Sequence, residues 1–262
     1  MSLPFFISYL VAFLGNSLII FIIITECSLH EPMYLFLCML AVADLILSTT
    51  TVPKALAIFW FYAGAISLGG CVTQIFFIHA TFIEESGILL AMALDRYVAI
   101  SHPLHYALTM NSQRCVLLVA VSWVITILHA LVHTLLVTRL SFCGPNIIPH
   151  FFCDLVPLLK LACSSTCVND LVLILVAGTL LIAPFVCILM SYFYIALAIL
   201  RIDSPRGKQR AFSSCTSHLS VVSLFYSTAI GVYLCPPSSH SDGKDSRRNW
   251  CYQSLEARDK DD

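Results

Sequence analysis

Long uncharged, apolar stretches alternate with short polar segments along most of this chain. Charged residues are absent from residues 1–25, 55–83, 115–138, 171–200 and 211–241. Each stretch exceeds the roughly 20 residues that an α-helix needs to cross the hydrocarbon core of a bilayer. Helices are expected because backbone groups in lipid must find hydrogen-bond partners within their own segment. The pattern therefore predicts an all-α, polytopic transmembrane helix bundle.

The bundle is expected to occupy residues 1–239. Residues 240–262 are polar, with five Lys or Arg and six Asp or Glu, and are expected to be disordered. The first apolar stretch also fits a signal peptide, but it is too long and has no positive region at its start. The predicted spans lie near residues 3–25, 33–53, 71–97, 115–138, 171–199 and 211–235.

Composition supports the membrane class. The chain is 59% hydrophobic and 11% charged, and its mean hydropathy is +0.89. A soluble domain carries about twice that charged fraction. Membrane lipid is therefore an expected partner. The net charge of −1 gives no reason to expect nucleic-acid binding.

Basic residues indicate the orientation of the spans. If the N-terminus lies outside, the outer loops, not counting the polar tail 240–262, hold Lys54, Arg139 and Lys160. The excess of basic residues in the inner loops then agrees with the positive-inside rule. Those inner residues are Arg96, Arg114, Arg201, Arg206, Lys208 and Arg210.

Four cysteines fall on the predicted outer side, where disulfides form. Cys71 lies at the outer end of the third span, and Cys143, Cys153 and Cys163 lie in the loop 139–170. Four cysteines allow three pairings, which the sequence alone does not separate. A zinc site is the competing interpretation, but the short C-x₂₋₄-C pairs typical of such sites are missing.

The third span ends in Asp95-Arg96-Tyr97, a charged triplet at the edge of lipid. An Arg at this depth is costly unless a partner or the membrane edge accommodates it. The triplet indicates a conformational switch at the cytoplasmic face, and a simple interfacial anchor is the plainer interpretation.

The region around this triplet resembles the odorant receptors, a branch of the rhodopsin-like G-protein-coupled receptors. Residues 92–106 are similar to the family signature MA-x-DRYVAI-x-HPL-x-Y. Ser101 and Arg210 depart from the usual Cys and Lys of the family. Further matching motifs are Gly15-Asn16, residues 29–37 (LHEPMYLFL), residues 40–45 (LAVADL), Ser122-Trp123, Pro184, Ser191-Tyr192 and residues 210–219 (RAFSSCTSHL).

The resemblance implies a rhodopsin-like bundle of seven helices, of which six are recognised here. The seventh helix, with a PMLNPFIYSLRN-like motif, is not found in residues 240–262. We therefore expect a chain truncated at both ends, with poor delivery to the cell surface and weak or no signalling. Retention in the endoplasmic reticulum is the alternative to the plasma membrane. The resemblance also implies two disulfides, Cys71 with Cys153 and Cys143 with Cys163.

The implied function is that of an odorant receptor in the plasma membrane, serving the sense of smell. It would bind a small, volatile, largely apolar ligand and activate a heterotrimeric G protein of the stimulatory olfactory type, which raises cAMP. One alternative is a truncated, non-signalling pseudogene product. Another is a membrane transporter, although the chain shows no internal repeat and few intramembrane acids.

Ligand contacts are expected in the outer half of the bundle. Residues at helical spacing share one face of the third span, and a second set repeats that spacing on the sixth. Ordinary helix packing is the plainer interpretation of each position. His79 is the strongest candidate, because a lone imidazole in a span needs a partner or a ligand. The predicted contacts are His79, Phe82, Ile83, Ser86, Val176, Ala177, Leu180, Tyr226, Ala229, Ile230 and Tyr233.

Other polar residues are assigned to switching and ion binding. Asn16 and Asp44 are expected to hold a sodium ion or a water network, or Asp44 is a neutral residue that fixes helix packing. Glu85 is interpreted as structural. No other cofactor is expected. The residues for the switch and for G-protein contact are Asp95, Arg96, Tyr97, Tyr192, Arg206, Lys208 and Arg210.

Nothing in the sequence favours an enzyme. It contains no G-x-S-x-G, H-E-x-x-H or phosphate-binding glycine loop. His150 and Cys153 resemble a Cys-His nucleophile pair only superficially, because a disulfide explains Cys153 better.

Overall fold

Long helices make up most of the chain. The computed structural model describes residues 2–29, 31–143, 147–148, 151–233 and 253–256. Within these ranges the predicted all-α fold class is confirmed. The long helices are α1 (Ser2–Thr25), α2 (Pro32–Phe61), α3 (Leu68–Ser101), α4 (Ser112–Thr138), α5 (Cys167–Leu200) and α6 (Pro205–Tyr233). Shorter helices are Cys27–Leu29, Pro103–His105, Tyr106–Thr109 and Leu155–Leu159.

Helix α3 lies at the centre of the bundle and packs against α2, α4, α5 and α6, whereas α1 packs against α2. Its buried positions lie on several faces, so neighbouring helices cover it from different sides. Leu89 and Ala93 pack with Ile188 of α5 and Val222 of α6. This central position lets α3 carry residues of both the predicted ligand pocket and the predicted switch.

Five helices of the described chain, α1 to α5, are long and apolar enough to cross a membrane. The predicted sixth span, residues 211–235, is helical in its described part but is not among those five. Its helix begins with a basic turn that holds Arg206, Lys208 and Arg210, and Ser and Thr recur along it. These polar side chains lower its hydropathy below that of the other helices.

Helix α2 is longer than the predicted span, which was expected to end near residue 53. It continues through Pro53 to Phe61. The ammonium group of Lys54 donates hydrogen bonds to the carbonyl oxygens of Ala63 and Ala65, at 2.8 and 2.6 Å. Lys54 therefore fastens the turn that follows the helix, and it does not lie in the outer loop itself.

Helix α5 contains a π-helical turn at Ala177–Ile182. Pro184 lies two residues after its end and has no backbone N–H to donate to the residue one turn earlier. A wider turn relieves the clash between the proline ring and the preceding carbonyl groups, which is why such bulges occur at these positions.

The outer end of the bundle is closed by disulfides and a small apolar core. Both predicted disulfides, Cys71–Cys153 and Cys143–Cys163, are present, which confirms the pairs that the resemblance implies. The amide of Gln74 donates to the carbonyl of Thr50 at 2.9 Å and accepts from the backbone N–H of Cys153 at 2.8 Å. The outer loop is thereby joined to both α2 and α3.

A small sheet lies beside this outer end. Strand β3 (Gln253–Glu256) pairs in parallel with β1 (Ala65–Ser67) and antiparallel with β2 (Ile147–Ile148). The backbone groups of these four residues find partners on two strands. The rest of the segment 240–262 lies outside the described residues, so the proposed division at residue 239 stays a prediction.

Candidate ligand pocket and cytoplasmic switch

A pair of hydroxyl groups joins α3 to α6 inside the bundle. Ser86 Oγ and Tyr226 Oη lie 2.8 Å apart, and both side chains are buried. Both were predicted ligand contacts, and the structure brings them together although 140 residues separate them along the chain.

Aromatic rings surround this pair. Phe82 lies 4.8 Å from Phe225, and Phe185 lies 4.5 Å from Tyr226, as measured between ring centroids. Phe185 and Phe225 were missed by sequence reasoning. Phe225 was overlooked because it directly precedes Tyr226 and so falls outside the i, i+3, i+4 pattern, although at this crowded crossing it still reaches α3.

The other predicted ligand residues are dispersed. Ile83 is buried, and Val176, Ala177, Leu180 and Ala229 are half-buried. Ile230 is 49% exposed, so its side chain lies on the face of α6 that points away from the other helices. Tyr233 ends α6, and its side chain lies outside the described part of the structure.

His79 has found partners within the protein. Its Nδ1 lies 3.1 Å from the carbonyl oxygen of Ile75, and its ring centroid lies 5.4 Å from that of His133. His133 is in turn 4.5 Å from His129. The two α4 histidines were missed, although their i, i+4 spacing places them on one face of the helix.

Three acidic side chains lie in the middle part of helices α2 and α3, well inside both ends. Glu84 is fully buried and accepts a 2.8 Å hydrogen bond from Ser122 on α4. Glu85 is also buried and lies within electrostatic range of Asp44, which is half-buried on α2. Asn16 is half-buried on α1. Among the described residues, no group of three His, Cys, Asp or Glu side chains has a geometry that would hold a metal ion.

At the cytoplasmic end of α3, Asp95 is buried and accepts a 2.8 Å hydrogen bond from the phenol of Tyr106. Burial, together with this bond to the carboxyl group, raises the pKa of Tyr106 above its ordinary value. Tyr97 lies near the rings of His102 and Tyr194, at 5.8 and 6.2 Å. Tyr106 thus fixes the loop after α3 to the Asp-Arg-Tyr triplet.

Helices α5 and α6 are joined near the same end. The hydroxyl of Tyr192 and Nδ1 of His218 form a short hydrogen bond, and their rings stack. Arg96 interacts electrostatically with Tyr192, His218 and Cys215. The predicted switch residue Arg96 therefore lies within electrostatic range of Tyr192, and His218, which sequence reasoning missed, belongs to the same group.

A cavity of about 500 Å³ lies between α5 and α6 beside this contact. Its walls include Tyr192, Ile195, Cys215 and Leu219. None of the predicted ligand contacts lines it, so it belongs to the cytoplasmic half. The basic residues Arg206, Lys208 and Arg210 are exposed at the start of α6, which leaves them accessible to a partner.

Comparison with known proteins identifies the family. The profile described as "Olfactory receptor" matches residues 5–241, which is most of the chain. The chain belongs to the olfactory receptor family. Members of this family are receptors rather than enzymes, and the apolar helices agree with a multi-pass membrane receptor.

Individual olfactory receptors are similar along most of their length. Olfactory receptor 1f45 of Rattus norvegicus is 51% identical over 243 residues, which cover 93% of this chain and 78% of that receptor. Olfactory receptor 1E16 of Mus musculus is 50% identical, with 95% and 79% covered. Olfactory receptor 1C1 of Homo sapiens is 50% identical, with 97% and 81% covered.

Proposed function

We propose that this receptor binds a small, volatile, largely apolar odorant between α3, α5 and α6. The observation that carries the proposal is the buried Ser86–Tyr226 hydrogen bond within a shell of aromatic rings. Pockets for small molecules are mostly apolar and hold a few placed polar groups. Two hydroxyls in such a shell suit an odorant with a single weak polar group.

Binding would be coupled to a stimulatory olfactory-type heterotrimeric G protein that raises cAMP. Tyr226 and His218 lie on the same helix, two turns apart, so a ligand that displaces α6 at Tyr226 also acts on the Tyr192–His218 contact. Activation requires that the ligand bind the open arrangement more tightly than the closed one. The exposed Arg206, Lys208 and Arg210 would contact the G protein.

The proposed location is the plasma membrane, with the N-terminus outside. Both disulfides lie at one end of the bundle, and disulfides form on the oxidising side of the membrane. The basic start of α6 lies at the opposite end, as the positive-inside rule requires.

We also propose a sodium ion or a water network beside Asp44. The Oε1 atom of Glu85 is buried without a hydrogen-bond partner among the described residues, and it repels Asp44 electrostatically. A cation between the two carboxyl groups would relieve both costs. Thermal stability should then rise when sodium replaces a bulky organic cation, and Asp44→Asn should abolish that rise. An equal rise in the variant would exclude the ion.

The test of function uses an epitope-tagged chain, surface immunolabelling and a cAMP reporter with an odorant panel. Ser86→Ala and Tyr226→Phe should each raise the half-maximal odorant concentration about two- to tenfold, the range for one hydrogen bond. Ser227→Ala is the matched control, since Ser227 is exposed on the same helix and bonds to Leu224.

Three outcomes would count against the proposal. The first is a normal surface density without any response to the panel. The second is an equal shift in Ser227→Ala. The third is retention in the endoplasmic reticulum, which would favour the non-signalling alternative.

A further inference from the structure

Glu84 is a buried acid that neither the proposed pocket nor the switch uses. It lies near the midpoint of α3 and is fully buried. With a rise of 1.5 Å per residue, its backbone is about 25 Å from either end of the helix. The carboxyl group therefore lies close to the middle of the bilayer, far from the head groups of membrane lipids.

Only one oxygen of this carboxyl group is satisfied. Oε2 accepts from Ser122 at 2.8 Å and from Thr126 at 3.4 Å. Oε1 is buried and has no hydrogen-bond partner among the described residues. Buried polar atoms almost always find a partner, because leaving one unsatisfied in an apolar environment is costly.

A crevice of about 220 Å³ lies next to this group, between α2, α3 and α4. Most of the residues that line it are apolar, and Glu84 and Ser122 are the two with polar side chains. Leu94 and Leu118 line it and are 40% and 59% exposed, so the crevice is open at the lipid-facing surface. The apolar part of the wall also includes Phe36, Ile88, Ala91 and Met110.

We propose that this crevice is a second ligand site, which takes a small apolar alcohol from the bilayer and binds its hydroxyl at Glu84. A hydroxyl donates to a carboxylate and accepts from a carboxylic acid, so it suits either protonation state of Glu84. The volume is below the roughly 300 Å³ at which pockets for drug-sized ligands begin, so the occupant is a short-chain or monocyclic molecule.

This site is separate from the bundle pocket. Residues 84 and 86 are about 200° apart around α3, at 100° per residue. Glu84 bonds to α4, whereas Ser86 bonds to α6. The second site also does not depend on signalling, so it stands or falls independently of the proposed function.

Photolabelling of the full chain in lipid nanodiscs tests the proposal. One probe is 1-octanol with a diazirine on its chain, and the second is the matching octane without the hydroxyl. The alcohol should label crevice residues on α3 and α4, and excess 1-octanol should abolish that labelling while octane does not. Labelling spread evenly over exposed α4 residues such as Leu128, or equal labelling by both probes, would overturn the proposal.

Variants locate the polar contact. Glu84→Leu should reduce crevice labelling about tenfold, the factor for one hydrogen bond to an acidic group, whereas Glu84→Gln retains a polar partner and should retain labelling. Ala91→Leu, which narrows the crevice without touching the acid, should reduce labelling too. Ser86→Ala in the bundle pocket is the control and should leave crevice labelling unchanged.

Folding and lipid competition are checked separately. The Cys71–Cys153 disulfide reports on folding of each variant. If Glu84→Leu does not fold, the octanol and octane competition in the unaltered chain decides the question alone. Displacement of the probe by cholesterol in the nanodisc, but not by 1-octanol, would assign the crevice to membrane lipid and overturn the proposal.

Discussion

Tyr106, in the short helix after α3, donates a 2.8 Å hydrogen bond to Oδ1 of Asp95, which is 1% exposed. Asp95 precedes Arg96 in the chain and is also attracted to it electrostatically. The buried carboxyl group therefore has two partners that compete for it. The acid that holds the loop between α3 and α4 is thus the same one that attracts the arginine of the predicted switch.

Replacement of Tyr106 by Phe should destabilise the protein. The change removes the donor and leaves a buried acceptor, which costs about 1–3 kcal/mol. Thermal unfolding in detergent measures the loss. Tyr194→Phe is the control, because Tyr194 is 48% exposed and should lose little. Equal losses of stability in the two variants would show that the hydrogen bond to Asp95 does not stabilise the fold.

The stabilising effect of Tyr106 should not vary between about pH 6 and 9. Because its folded pKa is raised, the phenol keeps its proton, and the stability it contributes is fully present below the unfolded pKa of about 10. That stability is lost as the pH rises toward the folded pKa. The difference between the unaltered chain and Tyr106→Phe, measured across this range, should be flat and should shrink only in strong alkali. A slope near neutrality would mean that another group dominates.

The two disulfides should contribute unequally. Cys71 and Cys153 are 82 residues apart, whereas Cys143 and Cys163 are 20 apart. Loop entropy gives about 4.5 kcal/mol for the first and about 3.3 kcal/mol for the second. Paired Cys→Ser variants, compared by surface density and thermal inactivation, should show the larger loss for Cys71 and Cys153. A greater loss for the short loop would contradict this order.

Replacement of Tyr192 by Phe should raise basal signalling. The hydrogen bond between Tyr192 and His218 joins α5 to α6, so its removal favours arrangements in which the helices separate. One hydrogen bond shifts such an equilibrium about two- to tenfold. The reporter signal without odorant, normalised to surface density, measures the shift, and Ser217→Ala on the exposed face of α6 is the control. Unchanged or lower basal signal would show that this contact does not restrain the closed arrangement.

Helix α2 is followed by a residue whose backbone lies in the left-handed region. Tyr62 has φ 54° and ψ 24°, a conformation that glycine adopts without strain. Tyr62→Gly should therefore be more stable than Tyr62→Ala by about 1–2 kcal/mol. Both variants lack the ring, so thermal unfolding of the pair isolates the backbone term. Equal stability would indicate that the turn rearranges when the ring is removed.

Features with a strong local signal were predictable from the sequence. Uncharged stretches locate α1, α4 and α5, because a helix in lipid must be apolar for about 20 residues. The family resemblance supplied the disulfide pairs, and the i, i+4 spacing brought Ser86 into the predicted ligand set. The helices and the position of Ser86 depend on the residues of a single segment. The disulfide pairs follow from family motifs whose order along the chain is fixed.

Features that depend on how helices meet could not be predicted in this way. Tyr106 lies outside the spans, and only the packing of its loop shows that it reaches Asp95. His129 and His133 became neighbours of His79 only through the crossing of α3 and α4. The extension of α2 beyond Pro53 was missed because a proline and a lysine together resemble the end of a span, yet Lys54 turns back to bond the loop.

The π-helical turn of α5 changes how mutations in this helix can be interpreted. One extra residue in a turn rotates everything on one side of it by about 100° relative to the other side. Val176 precedes the turn Ala177–Ile182, whereas Leu180 lies within it, so a single helical stripe does not describe the pair. Deletion of one residue from this turn should rotate the preceding segment, Cys167–Val176, about the helix axis. The contact of Tyr192, which follows the turn, should stay in place. The turn therefore separates the predicted ligand residues from the predicted switch residue Tyr192 within one helix, and a scan of single deletions would test the two parts independently.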